Sequence, residues 1–105
     1  MNGLDITVTD SMLDELGRYT VQRMENANLY AIREEKHGLS AERFAIDAMN
    51  EAMSTLGIPL RMSQLVPSGL YTYVEIGGKS FNVRTSEEEI TSAIDWSVNE
   101  LAFMT

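Results

Sequence analysis

The chain has 105 residues, 44 % of them hydrophobic, with no cysteine and sixteen acids against eight bases, a formal net charge of -8. That size and content suit a single domain over 1–105 with a self-supporting core, and argue against a disordered chain. Disulfides, thiolate chemistry and the usual structural zinc sites are excluded, and the acid excess disfavours direct binding to nucleic acid or to an anionic membrane, where clustered Lys and Arg are needed.

The opening MNGLDITVTD has neither a basic flank nor a long apolar run, so no leader is expected. Nowhere do about 18 apolar residues run together, so no spanning helix is expected and the default address is cytoplasmic. Leu4, Ile6 and Val8 alternate with Asp5 and Thr7, which predicts a short strand. Thr9, Asp10 and Ser11 then offer N-cap oxygens. Leu13, Leu16, Thr20, Met24, Ala27 and Ala31 follow as one stripe of a long helix. Gly17 and the Asn26-Ala27-Asn28 patch predict a weak point in it. Lys36 and His37 suit its carbonyl end, and Gly38 a left-handed stop.

Ser40 is the expected cap of the next helix, with Leu39 and Phe44 at hydrophobic-staple spacing. Ala41, Ala45, Ala48, Ala52 and Leu56 form a stripe flanked by Met49 and Met53, small enough for a close helix partner. Gly57-Ile58-Pro59 ends it, and the short link predicts an antiparallel αα-hairpin. Residues 60–69 read as an irregular strand with Leu60, Met62 and Val66 on one face, followed by a Pro67-Ser68-Gly69 turn.

The stretch YTYVEIGGKSFNV over 71–83 is a β-hairpin with Gly77-Gly78 as its turn. Its register pairs Ile76 with Lys79, Val74 with Phe81 and Thr72 with Val83 on an oily face. Glu75 with Ser80, Tyr73 with Asn82 and Tyr71 with Arg84 make the polar face. Ser86 and Glu89 then stand at capping-box spacing, ahead of a helix with Ile90, Ile94, Val98 and Leu101 as its core stripe. Ala93, Trp96 and Phe103 make a second apolar line well away from that stripe. The expected fold is α+β: a small antiparallel sheet packed against an αα-hairpin and a C-terminal helix, in the order β-α-α-(β)-β-β-α.

Catalytic chemistry is hard to assemble from these residues. His37 is the only histidine, and a cation at a helix end accounts for it. Asp10/Asp14 and Asp47/Glu51 have i,i+4 spacing, common on acidic surface helices, and Arg43 precedes the second pair by one turn. The seven methionines suggest an adaptable surface, but Met24, Met49 and Met53 lie on or near the helical stripes, which suits core filling. No catalytic, cofactor or metal residue is expected.

Two surfaces stand out. One is the polar hairpin face with Tyr71, Tyr73 and Arg84, residue types that are energetic at interfaces. The alternatives are that Tyr71 stacks on Arg84 or that a helix covers both tyrosines. The other is the C-terminal segment, with Glu87, Glu88, Glu89, Asp95 and Glu100, no Lys or Arg, and Trp96 and Phe103 off the core stripe. Those five charges are too sparse for the helix alone to copy a DNA backbone, which carries one charge per ~3.4 Å of strand; such mimicry requires carboxylates such as Asp10, Asp14 and Glu15 on the same face.

The expected function is a non-catalytic protein-binding module whose partner has a basic surface, such as a nucleic-acid-handling protein whose groove it occludes. In composition the chain resembles phage-encoded inhibitors of host defence, a likeness shared with many proteins of other function. The alternatives are a homodimer pairing the Trp96/Phe103 faces and a small enzyme or ligand-binding domain. The last requires Asp47, Glu51 or Tyr73 to line a concave pocket.

Overall fold

The computed structural model describes residues 8–93. They form α1 (Asp10–Ile32), α2 (Lys36–Thr55), β1 (Leu60–Gln64), β2 (Tyr71–Ile76), β3 (Lys79–Asn82) and a third helix, α3, entered at 87 and described to 93. The α+β class and the helix pair on an antiparallel sheet are as expected. The strand predicted over 4–8 lies outside the described residues, except that Val8 is exposed and not in a strand.

Thr9 is extended and its hydroxyl accepts from the Met12 amide at 3.2 Å, so α1 starts where its cap predicts. The helix then runs 23 residues without a break. Gly17 does not weaken it because packing overrides propensity: the Phe81 ring lies against the glycine, where a Cβ would overlap it. The predicted stripe faces inward, with Thr20, Met24 and Ala27 buried. Thr20 Oγ1 donates to the Leu16 carbonyl at 2.7 Å and meets Met49 Sδ of α2 at 2.8 Å.

The turn between the helices departs from expectation. α1 ends at Ile32, and Glu34 takes the left-handed conformation at φ 57°. Its amide donates to Ala31 O at 3.2 Å and the Glu35 amide to Tyr30 O at 2.9 Å, a Schellman closure with glutamate where glycine is usual. Lys36, His37 and Gly38 therefore open α2 rather than close α1, and Ser40 is interior to a helix whose N-cap, Glu35, makes no side-chain cap bond. Gly38 serves close approach instead of chain reversal, because a Cβ there would come within 2.6 Å of the Tyr30 ring.

The face of α2 is also corrected. Leu39, Glu42, Ile46, Met49 and Met53, at alternating spacings of three and four, point inward; Ala41, Ala48, Ala52 and Leu56 of the predicted stripe are exposed. Glu42 can be buried because Arg23 of α1 pairs with it at 3.2 Å. With Leu39 inside the helix, no staple to Phe44 forms.

The sheet is an antiparallel meander in the order β1-β2-β3. The β2–β3 register is the predicted one from Ile76↔Lys79 to Tyr73↔Asn82, and the Val83 amide extends it by donating to Thr72 O at 3.0 Å. β1 pairs Leu60 with Ile76 and slips by one residue between Ser63 and Gln64. Leu60 and Met62 pack on the core, whereas Val66 is 92 % exposed and leaves their face. Lys79, expected to snorkel, reaches Asp14 at 3.0 Å.

Asn28 joins helix to sheet. Its side chain, 1 % exposed, accepts from the Tyr71 amide at 2.7 Å and donates to Tyr71 O at 2.8 Å and Arg84 O at 2.6 Å. Asn28→Ala leaves both buried backbone groups of Tyr71 and the part-buried Arg84 carbonyl without these partners and should cost about 3 kcal/mol in urea unfolding. Asn28→Asp keeps the acceptor but loses both donors, so it should rescue little at neutral pH. In the opposite direction, Glu34→Gly should raise stability by about 0.5–1 kcal/mol, because it relieves a left-handed side-chain residue.

Candidate functional site

The outer side of α2 carries the most exposed aromatic ring among the described residues. Phe44 lies roughly 160° around the helix from Ile46, and it is 77 % exposed. Ala41 and Ala48, one turn to either side, are exposed too. So are Asp47 and Glu51, which follow on the same side of the helix.

Charge is distributed unevenly. Four of the eight cations are used in ion pairs that tie elements together: Arg23–Glu42, Arg33–Glu87, Lys79–Asp14 and Arg84–Glu25. Glu34, Glu35, Asp47, Glu51, Glu88 and Glu89 remain at the surface outside those pairs. Each pair takes up one carboxylate with each cation, so the acid excess of the chain is carried by these unpaired side chains.

Beside Asp47 a polar cleft of about 480 Å³ opens between α2 and the turn over 65–70. Arg43 and Asp47 line it from α2, Gln64 and Tyr71 from the strands, and Pro67, Ser68 and Gly69 from the turn. The turn is closed by Leu65 N–Leu70 O at 2.8 Å and Gly69 N–Leu65 O at 2.7 Å, and Gln64 Nε2 donates to Gly69 O at 2.9 Å. Burial pushes the Tyr71 phenol above its ordinary range; Asp47 adds to this and Arg43 opposes it.

The expected docking residues are scattered rather than gathered. Tyr71 is only 4 % exposed, covered by the chain itself, and belongs to the core. The register slip opposite it and the cover of α2 turn what the alternation marks as an outward residue into the cleft floor. Tyr73 is half-buried, its hydroxyl bonded to Glu75 at 3.2 Å and Ser80 at 3.0 Å. Arg84 holds Glu25 at 2.9 Å, so the Tyr71–Arg84 stack does not form. Glu87 holds Arg33 at 3.0 Å, while Glu88 and Glu89 are exposed and the Glu89 amide donates to the Ser86 cap at 3.1 Å. Asp95, Trp96, Glu100 and Phe103 lie outside the described residues.

Of the residues named for a ligand pocket, Asp47 lines the cleft and Glu51 and Tyr73 do not. Sequence reasoning passed over Phe44 and Arg43. The available signal was the second apolar stripe through Leu39, Ile46, Met49 and Met53, which turns Phe44 outward once Glu42 is granted a cation.

No family model, curated protein or solved structure matches this chain. Among the described residues no three His, Cys, Asp or Glu side chains gather as metal ligands, and no helix is long and apolar enough to cross a membrane.

The buried phenol gives a direct check. In an absorbance titration one of the four tyrosines should ionise later than the others, and Tyr71→Phe should remove that late component. Because the folded group titrates above its unfolded value of about 10, its stability contribution is complete below that pH and is lost as pH rises through the folded value.

Proposed function

We propose that this chain is a non-catalytic protein-binding module that docks through the outer face of α2. Phe44 is its anchor, and the partner surface presents an apolar pocket ringed by Lys or Arg. The observation that carries this reading is an aromatic ring 77 % exposed beside two exposed carboxylates, Asp47 and Glu51. Filling a pocket with such a ring supplies about 1.5–3 kcal/mol, the usual size of an interface anchor. The carboxylates steer a basic partner and exclude acidic ones. A nucleic-acid-handling protein with a basic groove has this chemistry, and occupying that groove would make the chain an inhibitor. The absence of cysteine suits a reducing cytoplasm as the setting.

Phe44→Ala should weaken an isolated partner by about 10- to 100-fold while leaving folding stability within about 0.5 kcal/mol. Raising the salt from about 50 to 500 mM should weaken the same complex further. A partner held equally by the alanine variant would sink this reading. So would a concentration-dependent dimer in sedimentation that Phe44→Ala abolishes, which would give the face to a second copy.

A further inference from the structure

Arg43 is placed unlike the other cations. Arg18, Lys36 and Arg61 are exposed, and Arg23, Arg33, Lys79 and Arg84 hold carboxylates. Arg43 is half-buried and holds none. Its Nε is the one buried side-chain nitrogen or oxygen among the described residues without a hydrogen-bond partner. A guanidinium has five N–H donors and no way to shed its proton, so an unmade buried bond is costly.

The surroundings are shaped to that group. Gly69 is left-handed at φ 78°, and a Cβ there would stand 2.8 Å from Arg43 Nη2, so the turn closes against the guanidinium with no side chain between. The Tyr71 hydroxyl lies on the floor, close enough to the guanidinium for Arg43 to oppose the upward push that burial gives the phenol. Asp47 follows Arg43 by one turn and lines the same cleft, yet the two form no ion pair. One cleft thus holds a cation and an anion kept apart. Gln64 adds a carbonyl, since its amide nitrogen is already committed to Gly69 O.

We propose that this cleft binds the zwitterionic head group of a free α-amino acid, its carboxylate on Arg43 and its ammonium on Asp47. The carboxylate meets the terminal N–H groups of the guanidinium in a planar, two-oxygen form that matches its fork. The ammonium meets the Asp47 carboxylate and the Gln64 carbonyl. A phosphate dianion would face Asp47 and the net charge of -8 without a compensating cation, so it is disfavoured. The volume of about 480 Å³ falls in the range of small-ligand sites and leaves space for a side chain. The site shares Asp47 with the docking face but makes no use of Phe44, so Phe44→Ala should leave amino-acid binding unchanged even where it abolishes protein docking.

The test is an amide-resolved NMR titration of the full chain with single L-amino acids, each at about 10 mM, beside acetate, methylammonium and inorganic phosphate. At least one amino acid should shift Ser68, Gly69 and Leu70, with affinity about tenfold or more above acetate or methylammonium. Arg43→Gln should reduce that affinity at least about tenfold, and Asp47→Asn should abolish the preference over acetate. Should Arg43→Gln lose its dispersed spectrum, the exposed Asp47→Asn variant decides alone. The proposal is overturned by no shift from any amino acid, by acetate or phosphate binding as tightly, or by either folded variant behaving as the wild type.

Discussion

A buried amide fixes how α1 meets the sheet. Asn28 sits on the core face of α1 where a hydrophobic residue would be ordinary, and its three hydrogen bonds run to the backbone of Tyr71 in β2 and of Arg84 just after β3. The β2–β3 pairing ends at the Val83–Thr72 bond, so the carbonyl of Arg84 lies just past the end of that ladder. Asn28 takes it, along with both backbone groups of Tyr71. A buried polar side chain is tolerable only when fully satisfied, and here its satisfaction also specifies how helix and sheet meet. Tyr71 is thereby fixed as the floor of the cleft.

The second constraint is the orientation of α2. Two stripes of this helix are apolar enough to face inward, and the one chosen contains a glutamate. Burying Glu42 is acceptable because Arg23 reaches it across the helix pair, with its own Nε held by Tyr19 at 3.1 Å. The choice places Ile46 and Met53 in the interior and leaves the alanines and Phe44 outside. Ion pairing between the helices therefore helps determine which side of α2 faces water.

Arg43 and Asp47 share the flank of α2 between the buried stripe and the Phe44 face. The helix thus serves core, cleft and outer surface from three sides. The turn over 65–70 is what converts its flank from an exposed side into a concavity, and the left-handed Gly69 gives the guanidinium its room.

Much of the fold was legible in the residues. Thr9 as a cap, the stripe from Leu13 to Ala31, the glycine stop at Gly57 and the hairpin register all rest on short-range rules that the chain obeys locally. The misread parts share one physical cause: their outcome depends on a distant partner. Gly17 and Gly38 look like breaks until the rings of Phe81 and Tyr30 lie against them. Glu42 looks like an outward residue until Arg23 is across from it. Tyr71 alternates like a solvent-facing residue until a register slip and α2 enclose it. Periodicity determined which segments are helix or strand, because backbone geometry repeats every few residues. Which face of α2 turns to water, and where Arg43 meets Tyr71, were decided only by the packing of segments far apart in the chain.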